Sequence, residues 1–156
     1  MSRFSNKSVI ITGAASGIGR AAAKMFAAEG ASVVIGDLAD GVHETAEDIS
    51  KAGGQAVSMT IDAGKEEDAA ALVAKAVETN GGLDVCFANA GVSGGWGGLF
   101  EQTPADWSEI LRINLIGPFM AIKACAPEMQ KRGGGSIICT ASVAGIRSGA
   151  GGPAYS

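Results

Sequence analysis

The chain has 156 residues, 47% of them hydrophobic and 18% charged, with a net charge of −4. That length suits one domain able to bury about 70% of its unfolded surface, and the balance of apolar and charged residues excludes a disordered chain. The acidic charge offers no basic stripe for nucleic acid and no attraction to an anionic membrane.

In chain order, short apolar runs alternate with longer amphipathic ones, the pattern of βαβ units and a parallel sheet. Residues 8–12 predict a first strand, apolar throughout its core and so buried on both faces. Residues 17–29 carry Ile18, Ala21, Ala22, Met25 and Phe26 at helical spacing, stopped by Gly30. A second strand over 32–36, a second helix over 42–52 and a third strand over 56–61 follow. The helix predicted over 65–79 opens on Glu66, Glu67 and Asp68, which suit the positive end of its dipole. Residues 84–88 predict a fourth strand. After a glycine-rich loop, Thr103-Pro104 predicts the N-cap and first residue of a long helix to about 132, kinked at Gly117-Pro118. Residues 136–140 predict a fifth strand. The 24 glycines cluster at these turns without a fixed period. Right-handed crossovers then predict an α/β, Rossmann-like doubly wound parallel sheet in the order 3-2-1-4-5.

Three cysteines, Cys86, Cys125 and Cys139, form no CxxC pair and sit in apolar runs, so buried free thiols are expected. One histidine, His43, on a polar stretch provides no metal set. Residues 1–7 hold no signal-like apolar segment and no apolar run approaches about 18 residues, which predicts a reduced, cytoplasmic protein with no membrane partner.

The chemistry concentrates at the ends of the predicted strands. Thr12-Gly13-Ala14-Ala15-Ser16-Gly17-Ile18-Gly19 joins the first strand to the first helix. A pyrophosphate at a helix N-terminus needs free backbone N–H groups and no Cβ atoms in its way, which gives Gly13, Gly17 and Gly19 a purpose beyond turning the chain. Asp37, after the second strand, can accept from both hydroxyls of an adenosine ribose and would repel a 2′-phosphate. No Arg or Lys occupies positions 36–40, so the reading is NAD rather than NADP. Asp62 ends the third strand and could approach an adenine edge or simply close a turn. Ser142 and Tyr155, thirteen positions apart, suggest an alcohol/carbonyl oxidoreductase.

Together these residues resemble the short-chain dehydrogenase/reductase family along the whole chain. Its TGxxxGxG motif matches residues 12–19, including Ser16 and Ile18, and its NNAG motif matches Ala88-Asn89-Ala90-Gly91 with Ala88 in place of the first Asn. Its mid-helix Asn matches Asn114, and its Ser and Tyr match Ser142 and Tyr155. The resemblance implies that Asn89, Ala90 and Gly91 lie beside the cofactor, that Tyr155 exchanges a proton with the substrate oxygen, and that Ser142 hydrogen-bonds that oxygen. A free Tyr has a pKa of about 10; in the family a Lys four residues on lowers it, and the mid-helix Asn anchors a water beside that Lys. Position 159 is beyond this sequence.

The resemblance therefore implies the N-terminal part of a longer single-domain, NAD-dependent enzyme acting on a small-molecule alcohol or ketone, with these 156 residues inactive alone. It also implies a homo-oligomer for the longer protein. A catalytically silent nucleotide-binding or assembly module is the alternative. An extended-family epimerase fits less well, because it favours a TGxxGxxG turn. Trp96 and Phe100 could face an apolar or cyclic substrate, or belong to a surface loop.

Overall fold

The computed structural model describes residues 2–94, 97–147 and 151–156. Its elements run β1 (Ser8–Thr12), α1 (Gly17–Ala28), β2 (Ser32–Asp37), α2 (Gly41–Lys51), β3 (Gln55–Thr60), α3 (Glu66–Asn80), β4 (Val85–Ala88), α4 (Pro104–Leu111), a π-helical turn (Arg112–Ile116), α5 (Gly117–Lys131), β5 (Ser136–Cys139) and a short 3₁₀ turn (Val143–Gly145). Every strand pairing is parallel and the order is β3-β2-β1-β4-β5, the Rossmann-like arrangement expected from the sequence.

β1 is the hub, buried at all five residues. Its side chains alternate between faces, as a strand requires. Val9 and Ile11 join Val33 and Ile35 in a core under α1 and α2. Ile10, between them, joins Val34, Cys86, Leu72 and Cys125 in a second core under α3 and α5. Register supports both layers: Ile10 stands opposite Val34 on one side and Cys86 on the other. Asp84 secures the far end of the sheet, where its carboxylate accepts the Ser8 N–H (2.9 Å) and meets Lys7 (3.1 Å) and Arg132 (3.4 Å).

Two sequence expectations change. The break in the long helix is not at Gly117-Pro118 but in the turn before it, where the Gly117 N–H reaches back five residues to the Arg112 carbonyl. Pro118 has no N–H to give and its ring crowds the carbonyl four residues earlier, so the preceding turn widens. Cys139 is exposed, whereas Cys86 and Cys125 are buried. β5 is the edge strand, and Ile138 and Cys139 have no layer over them among the described residues.

The helical stretch from Pro104 to Lys131 reaches a mean hydropathy of 1.3 over 18 residues, enough by length and composition alone for a membrane span. One face of it packs inward through Ala121, Cys125 and Met129. Its outer face carries exposed Leu111, Leu115, Phe119 and Ile122.

Candidate active site

Parallel strands bring all their carboxyl ends to one edge, and the strand order reverses between β1 and β4, where an open α/β sheet forms its crevice. A cleft of about 820 Å³ lies there. It gathers the glycine turn after β1, Asp37 ending β2, Asp62 after β3, Asn89-Ala90-Gly91 after β4, and Ser142 after β5. Asn114 and Tyr155 line it too. Of the residues that the family motifs and the strand ends marked as catalytic or cofactor-binding, Thr12 and Gly19 do not line it; both lie buried behind its wall.

Thr12 supports the switch point from behind. Its Oγ1 accepts the backbone N–H groups of Asn89 and Ala90, each at 3.1 Å. Asn89 answers by donating its amide to the Thr12 carbonyl (3.2 Å) and accepting the Thr140 hydroxyl (3.0 Å). β1, β4 and β5 are thereby stitched at the cleft floor. Thr140 was not singled out from the sequence; a hydroxyl two residues before Ser142 in an apolar strand was its one local signal.

The glycine turn is shaped for close approach. Gly13 has φ +70°, and a Cβ there would come within 2.8 Å of the Ala90 Cα. A Cβ on Gly19 would collide with the Gly13 carbonyl oxygen. Gly17 has φ +52° with open space before it. Ser16 precedes α1 in an extended conformation and makes no capping hydrogen bond. Among the described residues no side chain accepts from the first-turn N–H groups of α1, and Ser16, Gly17 and Ile18 line the cleft, a setting that suits an anion. Exposed Ile18 and Leu38 add apolar walls.

Asp37 is held by two backbone donors, the Ala15 N–H to Oδ2 (2.8 Å) and the Ala39 N–H to Oδ1 (2.9 Å). Each oxygen keeps a lone pair for a ligand. Asp62 is more engaged. Arg112 Nη1 lies 3.0 Å from both of its oxygens and the Gly64 N–H 2.8 Å from Oδ1. The Arg112 hydrogen bonds hold the Asp62 carboxyl below its ordinary value, against an upward push from burial. No local pattern in the sequence pointed to Arg112.

Asn114, inside the π-turn, bonds the Val92 backbone through both ends of its amide, each at 2.8 Å. Its side chain thus fastens the loop after β4 and keeps one further donor and one further acceptor position. Ser142 caps the 3₁₀ turn, its Oγ accepting the Ala144 N–H at 3.2 Å, and among the described residues no acceptor takes its own proton. Tyr155 stacks its ring edge on Gly151, where a Cβ would lie 2.6 Å from Cδ1. The Ala154 N–H ties this segment to Gln102 (3.2 Å). Phe100 stands wholly in solvent away from the cleft, and Trp96 lies outside the described residues.

Comparison with known proteins agrees with this geometry. An uncharacterized oxidoreductase, YxbG, of Bacillus subtilis is 42% identical over 93% of the chain and 53% of its own length. The cis-4-hydroxycyclohexanecarboxylate dehydrogenase of Sinomonas cyclohexanicum is 37% identical over 98% of the chain and 61% of its own length. Among solved structures, levodione reductase superposes with a TM-score of 0.92 at 31% identity, covering 98% of this chain and 60% of that one. An NAD+-bound xylitol dehydrogenase gives 0.92 at 30%, covering 98% and 59%. The chain thus spans between half and two thirds of the length of these relatives. The family model described as short chain dehydrogenase matches residues 7–156, which leaves only the first six residues outside it, and the chain belongs to that family.

Proposed function

We propose that the chain is the cofactor-binding part of an NAD-dependent oxidoreductase that interconverts a secondary alcohol and a ketone. One observation carries this reading: a single cleft joins an uncapped, glycine-lined helix N-terminus, a fixed carboxylate at Asp37, and the Ser142–Tyr155 pair.

The residues fit such a cofactor. The first turn of α1 with Gly13 and Gly17 would take the pyrophosphate, Asp37 the adenosine ribose, and Asp62 the adenine edge. Ala90 and Gly91 would flank the nicotinamide half. A 2′-phosphate would face the Asp37 carboxylate with no neighbouring cation at positions 36–40, which favours NAD over NADP. When bound, the nicotinamide supplies the hydride exchange. The chain's own residues hold and protonate the substrate. Tyr155 exchanges the proton at the carbinol or carbonyl oxygen, and Ser142 donates its hydroxyl hydrogen to the same oxygen as charge develops there. Among the described residues no Lys or Arg hydrogen-bonds the Tyr155 hydroxyl. Turnover is therefore proposed only where a cation stands beside that phenol, and these residues alone are proposed to bind without turning over. The longer protein is proposed to be cytoplasmic and homo-oligomeric, the first in keeping with three unpaired thiols.

Calorimetric titration of the chain with NAD and with NADP tests the reading. Saturable binding of NAD at least about tenfold tighter than NADP is expected. Binding of neither, by a chain whose circular dichroism is that of a folded α/β protein, would leave the silent module as the better account.

A further inference from the structure

The π-turn between α4 and α5 grips both sides of the cleft. Arg112, its first residue, spreads one guanidinium over two carboxylates. Nε and Nη2 each donate to Glu109 at 2.8 Å, and Nη1 sits 3.0 Å from both oxygens of Asp62. The guanidinium lies across Gly64, where any Cβ would collide with it. Two residues on, Asn114 holds Val92 after β4. Gly117, at the end of the turn, lies close enough to the chain after β3 that a Cβ would come 2.8 Å from the Ala63 carbonyl oxygen.

We infer that Arg112 is a positioning residue for the adenosine end of the cofactor: it fixes the Asp62 carboxylate on the cleft wall, ready to accept N–H groups from an adenine amine. Without it, the Gly64 N–H is the one hydrogen bond left to the Asp62 carboxylate among the described residues, and the carboxylate samples rotamers that a ligand must then freeze out. The Glu109 fork fixes the guanidinium in turn, so that the pairing with Asp62 has one geometry rather than many. This rests on the NAD reading above.

The test is a thermodynamic cycle on cofactor affinity, using NAD and ADP-ribose as probes and Arg112→Met, Asp62→Asn and the double variant. If Arg112 acts through Asp62, Arg112→Met weakens both probes about five- to tenfold, and the double variant binds no more weakly than Asp62→Asn alone. Arg112→Lys, which keeps the charge and is the milder change for folding, shows the same loss reduced to about two- to threefold. A structural role felt only through folding would shift the melting temperature and leave the losses additive. Unchanged affinity in Arg112→Met and Arg112→Lys, or additive losses in the double variant, overturns the inference while the NAD reading stands. A wild-type chain that binds neither probe overturns both.

Discussion

Replacing Thr12 by Val isolates one hydroxyl at the heart of the fold. The two side chains have nearly the same shape, both favour a strand, and Thr12 is 7% exposed in the central strand. What is lost is the acceptor for two backbone N–H groups, those of Asn89 and Ala90. Each orphaned donor costs about 1–3 kcal/mol when buried; both residues are half-buried here, so the low end applies and the sum is about 2–3 kcal/mol. For a chain of this size, that lowers the thermal midpoint by roughly 5–10 °C. Thr12→Ser keeps the acceptor and removes one methyl, costing about 1 kcal/mol. Thermal unfolding followed by far-UV circular dichroism should rank wild type above Thr12→Ser, and Thr12→Ser above Thr12→Val. A Thr12→Val variant melting at or above Thr12→Ser would refute the reasoning, because the methyl and not the hydroxyl would then be holding the switch point.

Three further outcomes follow from other parts of the molecule. Burial pushes the Asp84 carboxyl up, but the Ser8 N–H, Lys7 and Arg132 outweigh it and hold it below its ordinary value. Its stabilisation is therefore present above about pH 4 and is lost as pH falls through the lowered folded value. Urea unfolding of Asp84→Asn should show a deficit of about 1–3 kcal/mol at pH 7 that narrows in acid, and an equal deficit at both would contradict it. Thiol titration with an aromatic disulfide should label Cys139 in the folded chain and all three cysteines only after denaturation. Partial desolvation of its sulfur against the sheet, with Cys86 nearby, raises the exposed Cys139 thiol, so labelling should quicken well into the alkaline range. Asp37→Ser should narrow the preference for NAD over NADP by about tenfold in titration calorimetry, and an unchanged ratio would mean that something else reads the ribose.

Periodicity made the layers legible. The unbroken apolar run at Val9, Ile10 and Ile11 announces a strand buried on both faces, and the glycine spacing after it locates the cleft wall. Asp37 and Asp62 could be placed because strand ends are easily found. Less legible are side chains whose partners are remote in sequence. Arg112 reads as an ordinary charged helical residue until Asp62, fifty positions earlier, is folded against it. Cys139 looks like Cys86 in composition; only its place on an edge strand exposes it. Thr12 reads as the first letter of a cofactor motif, yet the atoms it touches belong to Asn89 and Ala90. The helix break was expected at the proline, but a proline displaces strain into the turn before itself.

The π-turn also sets a phase. An α-helix advances about 100° per residue, and a wider turn takes in roughly one residue more before closing. Everything after Ile116 is thereby rotated about one position relative to everything before it. Residues two apart on an α-helix point to nearly opposite sides, yet Arg112 and Asn114 both grip the same edge of the sheet, one beside β3 and the other beside β4. Removing a single residue from 112–116 would cancel that rotation, with Pro118 still crowding the carbonyl four residues before it. It would also swing Ala121, Cys125 and Met129 off their inward bearing or detach one of the two grips. The irregularity is thus a gear offset, by which one continuous rod meshes with the sheet along one half and with the cleft along the other.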